Sequence, residues 1–182
     1  INNYVYYMEY VKITSIYDFI SLFPLVLSMY SILEIINNNN FYILIGLFLS
    51  EITHKTIKYF TKKWNPNIFK RPDNAHDTNI FNKGGFVGNN PGFPSGHTFA
   101  VSYVMYYLIL KNNDDFYSLN SIFKQLTILI VAYARVLKGA HRIIQVIAGY
   151  FFGLALAYGM VYISNLFFLK FTDTLPYFGS FR

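Results

Sequence analysis

Cysteine is absent from the 182 residues, which rules out disulfides and thiolate metal sites and leaves the redox compartment unreadable. Charge is nearly as scarce. Asp, Glu, Lys and Arg make up 13% of the chain, against about 25% in a soluble domain, while apolar residues reach 54% and mean hydropathy is +0.31. That deficit argues against a water-soluble globule, whereas a bilayer accommodates it. Acidic clusters are missing as well: Asp73, Asp77, Asp114 and Asp115 form no recognisable Mg2+ set, so neither metal nor cofactor is expected. There is no internal repeat. The segment around 17–36 does not end in a small-residue cleavage site, so it reads as a membrane helix rather than a signal peptide. The sequence begins at Ile1 rather than Met, as a processed or incomplete N-terminus would. Its length suits one domain, 1–182.

What is present is hydrophobic length. A spanning helix needs about 20 mostly apolar residues, and four or five stretches meet or approach that. They run from Tyr17 to Ile36, from Phe41 into an amphipathic continuation past Ser50, from Pro94-Ser95-Gly96-His97 to Leu110, from Ser121 to Leu137, and from Ile143 to Leu169. The expected fold is an all-α, multi-pass bundle of about five transmembrane helices in a membrane-embedded domain. Gly149 and Gly153 form a GxxxG spacing, which predicts tight packing on a neighbouring helix, with a dimer interface as the alternative. Between the second and third stretches lies a polar loop from about Trp64 to Phe93, in which Gly84, Gly85, Gly88 and Gly92 let the backbone wrap closely. A loop so long in so small a protein is either disordered or functional. The net charge of +6 gathers in this central region and at helix ends beside apolar runs. Anionic lipid or a phosphorylated substrate suits that pattern better than nucleic acid.

Three groups of residues could carry chemistry. On the second helix Glu51, His54, Lys55, Lys58 and Lys62 share one face about 100° wide, and Lys63 falls outside it. Charge near a bilayer centre costs about 2.5–3.5 kcal/mol, so Glu51 and Lys58 predict a polar cavity, while Lys62 and Lys63 fit a snorkelling helix end equally well. Next come Arg71-Pro72 and then Gly92-Phe93-Pro94-Ser95-Gly96-His97. Ser95 is a candidate N-cap whose helix offers first-turn amides to an anion, and His97 shares that turn. A PSGH string by itself is also simple turn chemistry. The third group, Tyr133 to Gln145, ends one apolar helix with Arg135, puts His141 in the turn and opens the next helix with Gln145, spaced i, i+4 from His141. Counting crossings brings Lys62, Ser95, Arg135 and His141 to one side of the membrane. Two histidines and several cations around an anion-sized space describe a phosphoryl-transfer site.

These motifs resemble the type 2 phosphatidate phosphatase family, within the acid phosphatase–vanadium haloperoxidase superfamily, whose three motifs are KxxxxxxRP, PSGH and SRxxxxxHxxxD. PSGH is intact at 94–97, the third motif reads ARxxxxxHxxxQ over 134–145, and the resemblance covers about 41–165. The first motif is irregular. Lys63 stands one residue too far from Arg71; an insertion at Trp64–Phe69 puts Lys58 in its place, with Lys62 and Lys63 still open. Gln145 replaces the usual aspartate, but HxxxQVxxG from His141 to Gly149 is similar to the dolichyl-diphosphatase branch, where glutamine is usual.

The resemblance implies a metal-independent hydrolysis through a phosphohistidine. His141 is the nucleophile and His97 the general acid and base. Lys58, Arg71, Arg135, Ser95 and the Gly96 amide hold the phosphoryl oxygens, and Gln145 fixes the His141 ring. It implies a lipid phosphate or a (poly)prenyl diphosphate as substrate, with membrane lipids around it; a homo-oligomer or a membrane-complex subunit stays open. Ala134 in place of serine, Gln145 and the irregular first motif favour the competing reading, a non-catalytic membrane protein that keeps the fold for a structural or lipid-binding role. A lipid phosphotransferase would use the same histidines.

Overall fold

The computed structural model describes residues 16–64, 67, 69–76, 87, 88 and 90–174, with backbone only at 63 and 168–174. Six helices follow in order: α1 (Ile16–Ser21), α2 (Phe23–Asn38), α3 (Tyr42–Trp64), α4 (Gly96–Lys111), α5 (Leu119–Leu137) and α6 (Ile143–Thr174). Among the described residues the only β-type pairing outside them is an isolated bridge between Lys70 and Pro91. The fold is therefore all-helical, as the apolar periodicity predicts. The first expected helix is broken in two, because Pro24 in the opening turn of α2 has no N–H to continue the α1 ladder. Together α1 and α2 still form one apolar stretch, Ile16–Asn38, and this stretch and Ile143–Phe167 are long and apolar enough to cross a membrane. The intervening helices α3, α4 and α5 have 23, 16 and 19 residues.

α4 lies at the centre, packed on α6, α5, α3 and α2. Its Val101, Tyr103, Val104, Tyr107 and Ile109 are fully enclosed. Polar ties hold it in register. The Tyr103 hydroxyl donates to the Tyr42 carbonyl at 2.6 Å, Ser102 to the Tyr150 carbonyl at 2.8 Å, and Tyr107 to Asn40 Oδ1 at 3.0 Å. On the outside Phe19, Phe48, Phe123, Phe151 and Tyr162 are exposed, a surface that suits hydrocarbon rather than water.

The GxxxG spacing of α6 is used inside the chain. A Cβ on Gly149 would lie 2.6 Å from the Ser95 carbonyl oxygen, and one on Gly153 would lie 2.6 Å from that of Phe99. The α4 backbone leaves no room for either. Gly153→Leu must push the two helices apart and should destabilise the protein by about 3 kcal/mol, the upper part of the overpacking range. Thermal unfolding in detergent reads this directly, and an unchanged Tm would mean the helices are not in such close contact.

Candidate active site

Three chain segments build the site at one end of the bundle. The first is the start of α4. Ser95 is its N-cap: its Oγ accepts from the Thr98 hydroxyl at 3.1 Å and its carbonyl from Phe99 N–H at 3.0 Å. The Ser95 amide donates to the Gln145 carbonyl at 2.9 Å, which joins the start of α4 to that of α6.

The second segment is the polar loop. Gly84 and Gly85 lie outside the described residues, but the loop's two ends meet. Gly92 N–H donates to the Phe69 carbonyl at 2.7 Å, and the Phe69 and Phe93 rings pack edge to face at 5.1 Å. A side chain on Gly92 would strike Gln145 Oε1 and Arg71 Cγ, so only glycine fits there. Arg71 is buried and its Nη1 donates to the Ala140 carbonyl at 3.1 Å.

The third segment is the turn between α5 and α6. The amides of Ala140 and His141 both donate to the Arg135 carbonyl, at 3.1 and 3.2 Å, closing α5 and setting His141 just ahead of α6. Gln145 is fully buried. Its Nε2 donates to the Lys70 carbonyl at 2.8 Å, and its Oε1 accepts from Arg142 N–H at 3.2 Å. Only one orientation of the amide satisfies both contacts, because a carbonyl can only accept and an N–H can only donate. His141 Nδ1 lies 3.1 Å from that same Oε1, so Nδ1 carries the proton and Nε2 keeps its lone pair. Burial holds the His141 imidazole well below its ordinary pKa, and the charges of Arg71, Arg135 and Lys58 push it the same way. The ring is therefore neutral at neutral pH.

A cavity of about 1010 Å³ opens here, and Lys58, Arg71, Gly96, His97 and His141 all line it. Of the residues singled out in the sequence, three stand behind its wall. Ser95 turns its hydroxyl into the helix cap, Gln145 reaches the cavity through His141, and Arg135 is fully buried with Nη1 donating to Ser21 Oγ at 2.8 Å. Lys62 is exposed, and the Lys63 side chain lies outside the described residues.

Sequence reasoning missed part of the surroundings. Ser21 carries no motif. Asp18 reads as a helix-end charge, yet it forms a buried ion pair with Lys138 at 2.6 Å. His54 also lines the cavity; its place on the polar face of α3 was the available signal.

Cations and three histidines about one cavity, in an all-helical bundle with an apolar exterior, suit a membrane protein that handles an anionic group. Residues 40–168 match the PAP2 superfamily, and the chain belongs to that superfamily. Its members are generally phosphatases, so the chain is, at the coarse level, a membrane-bound phosphoric ester hydrolase. Neither the curated proteins nor the solved structures include a match to the chain.

Proposed function

We propose that this protein is a multi-pass lipid phosphatase that releases phosphate from a lipid phosphate or a (poly)prenyl diphosphate, without a metal and through a phosphohistidine. The carrying observation is the two-sided character of the cavity. Lys58, Arg71, His97 and His141 line it together with Leu22 at the N-cap of α2, Leu25 of α2, and Leu44, Leu47 and Phe48 of α3, with Ser50 and Glu51 between the two groups along α3. From Lys58 to Leu44 the wall follows α3 for about 21 Å at 1.5 Å per residue. A charged head and a hydrocarbon chain fit that division.

In this reading His141 Nε2 attacks phosphorus, and the bond from phosphorus to the leaving oxygen breaks. His97 gives that oxygen a proton. It then takes one from a water that attacks the phosphohistidine, so that inorganic phosphate leaves and both rings return to their starting states. Lys58, Arg71 and the Gly96 amide at the α4 N-terminus offset the charge that builds on the phosphoryl oxygens. Ser95 and Arg135 support this shell from behind, and Gln145 keeps the attacking nitrogen unprotonated. The glutamine that HxxxQVxxG shares with the dolichyl-diphosphatase branch makes a prenyl diphosphate the first choice of substrate, followed by phosphatidate and related lipids.

Purified protein offered a panel of lipid phosphates and diphosphates should release phosphate at the same rate with and without EDTA. Abolition by chelator would remove the metal-independent mechanism. Silence on every lipid would leave the non-catalytic reading, which Ala134 and the irregular first motif favour, and transfer to an alcohol instead of water would indicate a phosphotransferase.

A further inference from the structure

A third histidine faces the cavity and takes no part in the chemistry above. His54 is 8% exposed and stands on α3 one turn before Lys58. Its Nδ1 is 3.0 Å from the Ser50 carbonyl and 3.6 Å from Glu51 Oε2. Both partners only accept, so Nδ1 bears a proton and Nε2 is left on the other edge of the ring. That edge rests on the start of α4, where a Cβ added to Gly96 would lie 2.9 Å from both His54 Cε1 and Nε2. Lys58 lines the same cavity as His54 and His141 and places a cation beside them. Glu51, which also lines the cavity, offsets that charge only in part, its carboxylate being paired with Lys55 at 2.8 Å.

Position along α3 gives His54 a direction. The cavity wall runs from Lys58 through His54 and Ser50 to Leu47 and Leu44, from the cationic end towards the apolar one. A lipid whose terminal phosphoryl group is attacked by His141 keeps its leaving group on the far side of phosphorus, towards the chain. In a monophosphate that group is a single oxygen. In a diphosphate it is a second phosphate, and the bridging P–O bond is the one that breaks, leaving a lipid monophosphate.

We infer that His54 is the ligand for this lipid-bound phosphate and sets a preference for diphosphate over monophosphate substrates. An incoming phosphate brings a proton to Nε2 or draws one from solvent, after which the ring donates to a phosphate oxygen on one edge and to Ser50 on the other, a charge-assisted contact. This assignment rests on the hydrolase reading above.

The experiment compares farnesyl diphosphate with farnesyl monophosphate as substrates of wild-type protein and of the His54→Gln and His54→Ala variants. Melting curves establish that each variant is folded. The ratio of kcat/KM for diphosphate to that for monophosphate should fall about tenfold or more in the variants, as expected for a lost hydrogen bond to a charged group. In the same variants inorganic pyrophosphate should weaken as a ligand more than inorganic phosphate does. If His54 merely packs against Gly96, both substrates decline together and the ratio holds, which overturns the inference. Should wild-type protein hydrolyse neither farnesyl lipid nor any other lipid of the panel, the hydrolase reading falls. Calorimetric binding of pyrophosphate against phosphate then still decides the role of His54: an unchanged preference in both variants rejects it.

Discussion

Replacing His141 with alanine should abolish phosphate release and, with it, any phosphoenzyme trapped from labelled substrate by an alkaline quench, under which phosphohistidine survives. The expected loss is about 10⁴-fold or more, the scale on which removal of a nucleophile is felt. The argument is geometric. His141 is 2% exposed, its Nδ1 is committed to Gln145 Oε1 at 3.1 Å, and Nε2 is the nitrogen left for phosphorus. Folding should survive, because Gln145 keeps its contacts to Arg142 and Lys70 without the ring. A folded His141→Ala protein that still turns over, or still takes up label, would assign the nucleophile to another residue.

The second large effect concerns Gln145, and its direction runs against the simple expectation. The family of resemblance mostly has aspartate here, so Gln145→Asp looks like a repair. The hydrogen bonds say otherwise. The amide donates to the Lys70 carbonyl at 2.8 Å as well as accepting from Arg142 and facing His141. Aspartate has nothing to donate, is one methylene shorter, and would set a carboxylate against the Lys70 carbonyl. Lys70 adjoins Arg71, so the substitution disturbs the cation and the nucleophile together. Both Gln145→Asp and Gln145→Ala should lower kcat by about 10²–10⁴-fold, the range of a lost acid–base element, and should raise KM as Arg71 moves. Steady-state kinetics on one lipid substrate measures both quantities. Activity of Gln145→Asp equal to or above wild type would show that the Lys70 contact does not matter.

The parts legible in the sequence were those carried by local pattern. Apolar length located the helices to within a few residues: α5 begins at Leu119 rather than Ser121, and α6 runs on to Thr174. Crossing parity predicts that the helix ends at Lys62, Ser95, Arg135 and His141 share a side of the bundle; of these only His141 lines the cavity, beside Lys58, Arg71 and His97, while Ser95 and Arg135 stand behind its wall and Lys62 is exposed. The i, i+4 spacing foretold the contact of His141 with Gln145. What stayed hidden are pairings between distant segments, for which no local period exists. Arg71 to Ala140 spans 69 positions, Gln145 to Lys70 spans 75, and Arg135 to Ser21 spans 114. Likewise nothing in the composition of the first helix says that Asp18 turns inward. A carboxylate two residues into an apolar run fits an interfacial end equally well.

That inward turn bears on where this protein begins as a working unit. The superfamily match starts at residue 40, yet Asp18 and Ser21 reach across to Lys138 and Arg135, the latter within electrostatic range of His141. Removing one partner of a buried ion pair is destabilising by about 3–5 kcal/mol. A boundary drawn at the edge of the shared sequence would therefore cut through the contacts that hold Arg135 and Lys138. α1, though outside the matched region, is tied to the end of α5, and a minimal version of this protein has to include it.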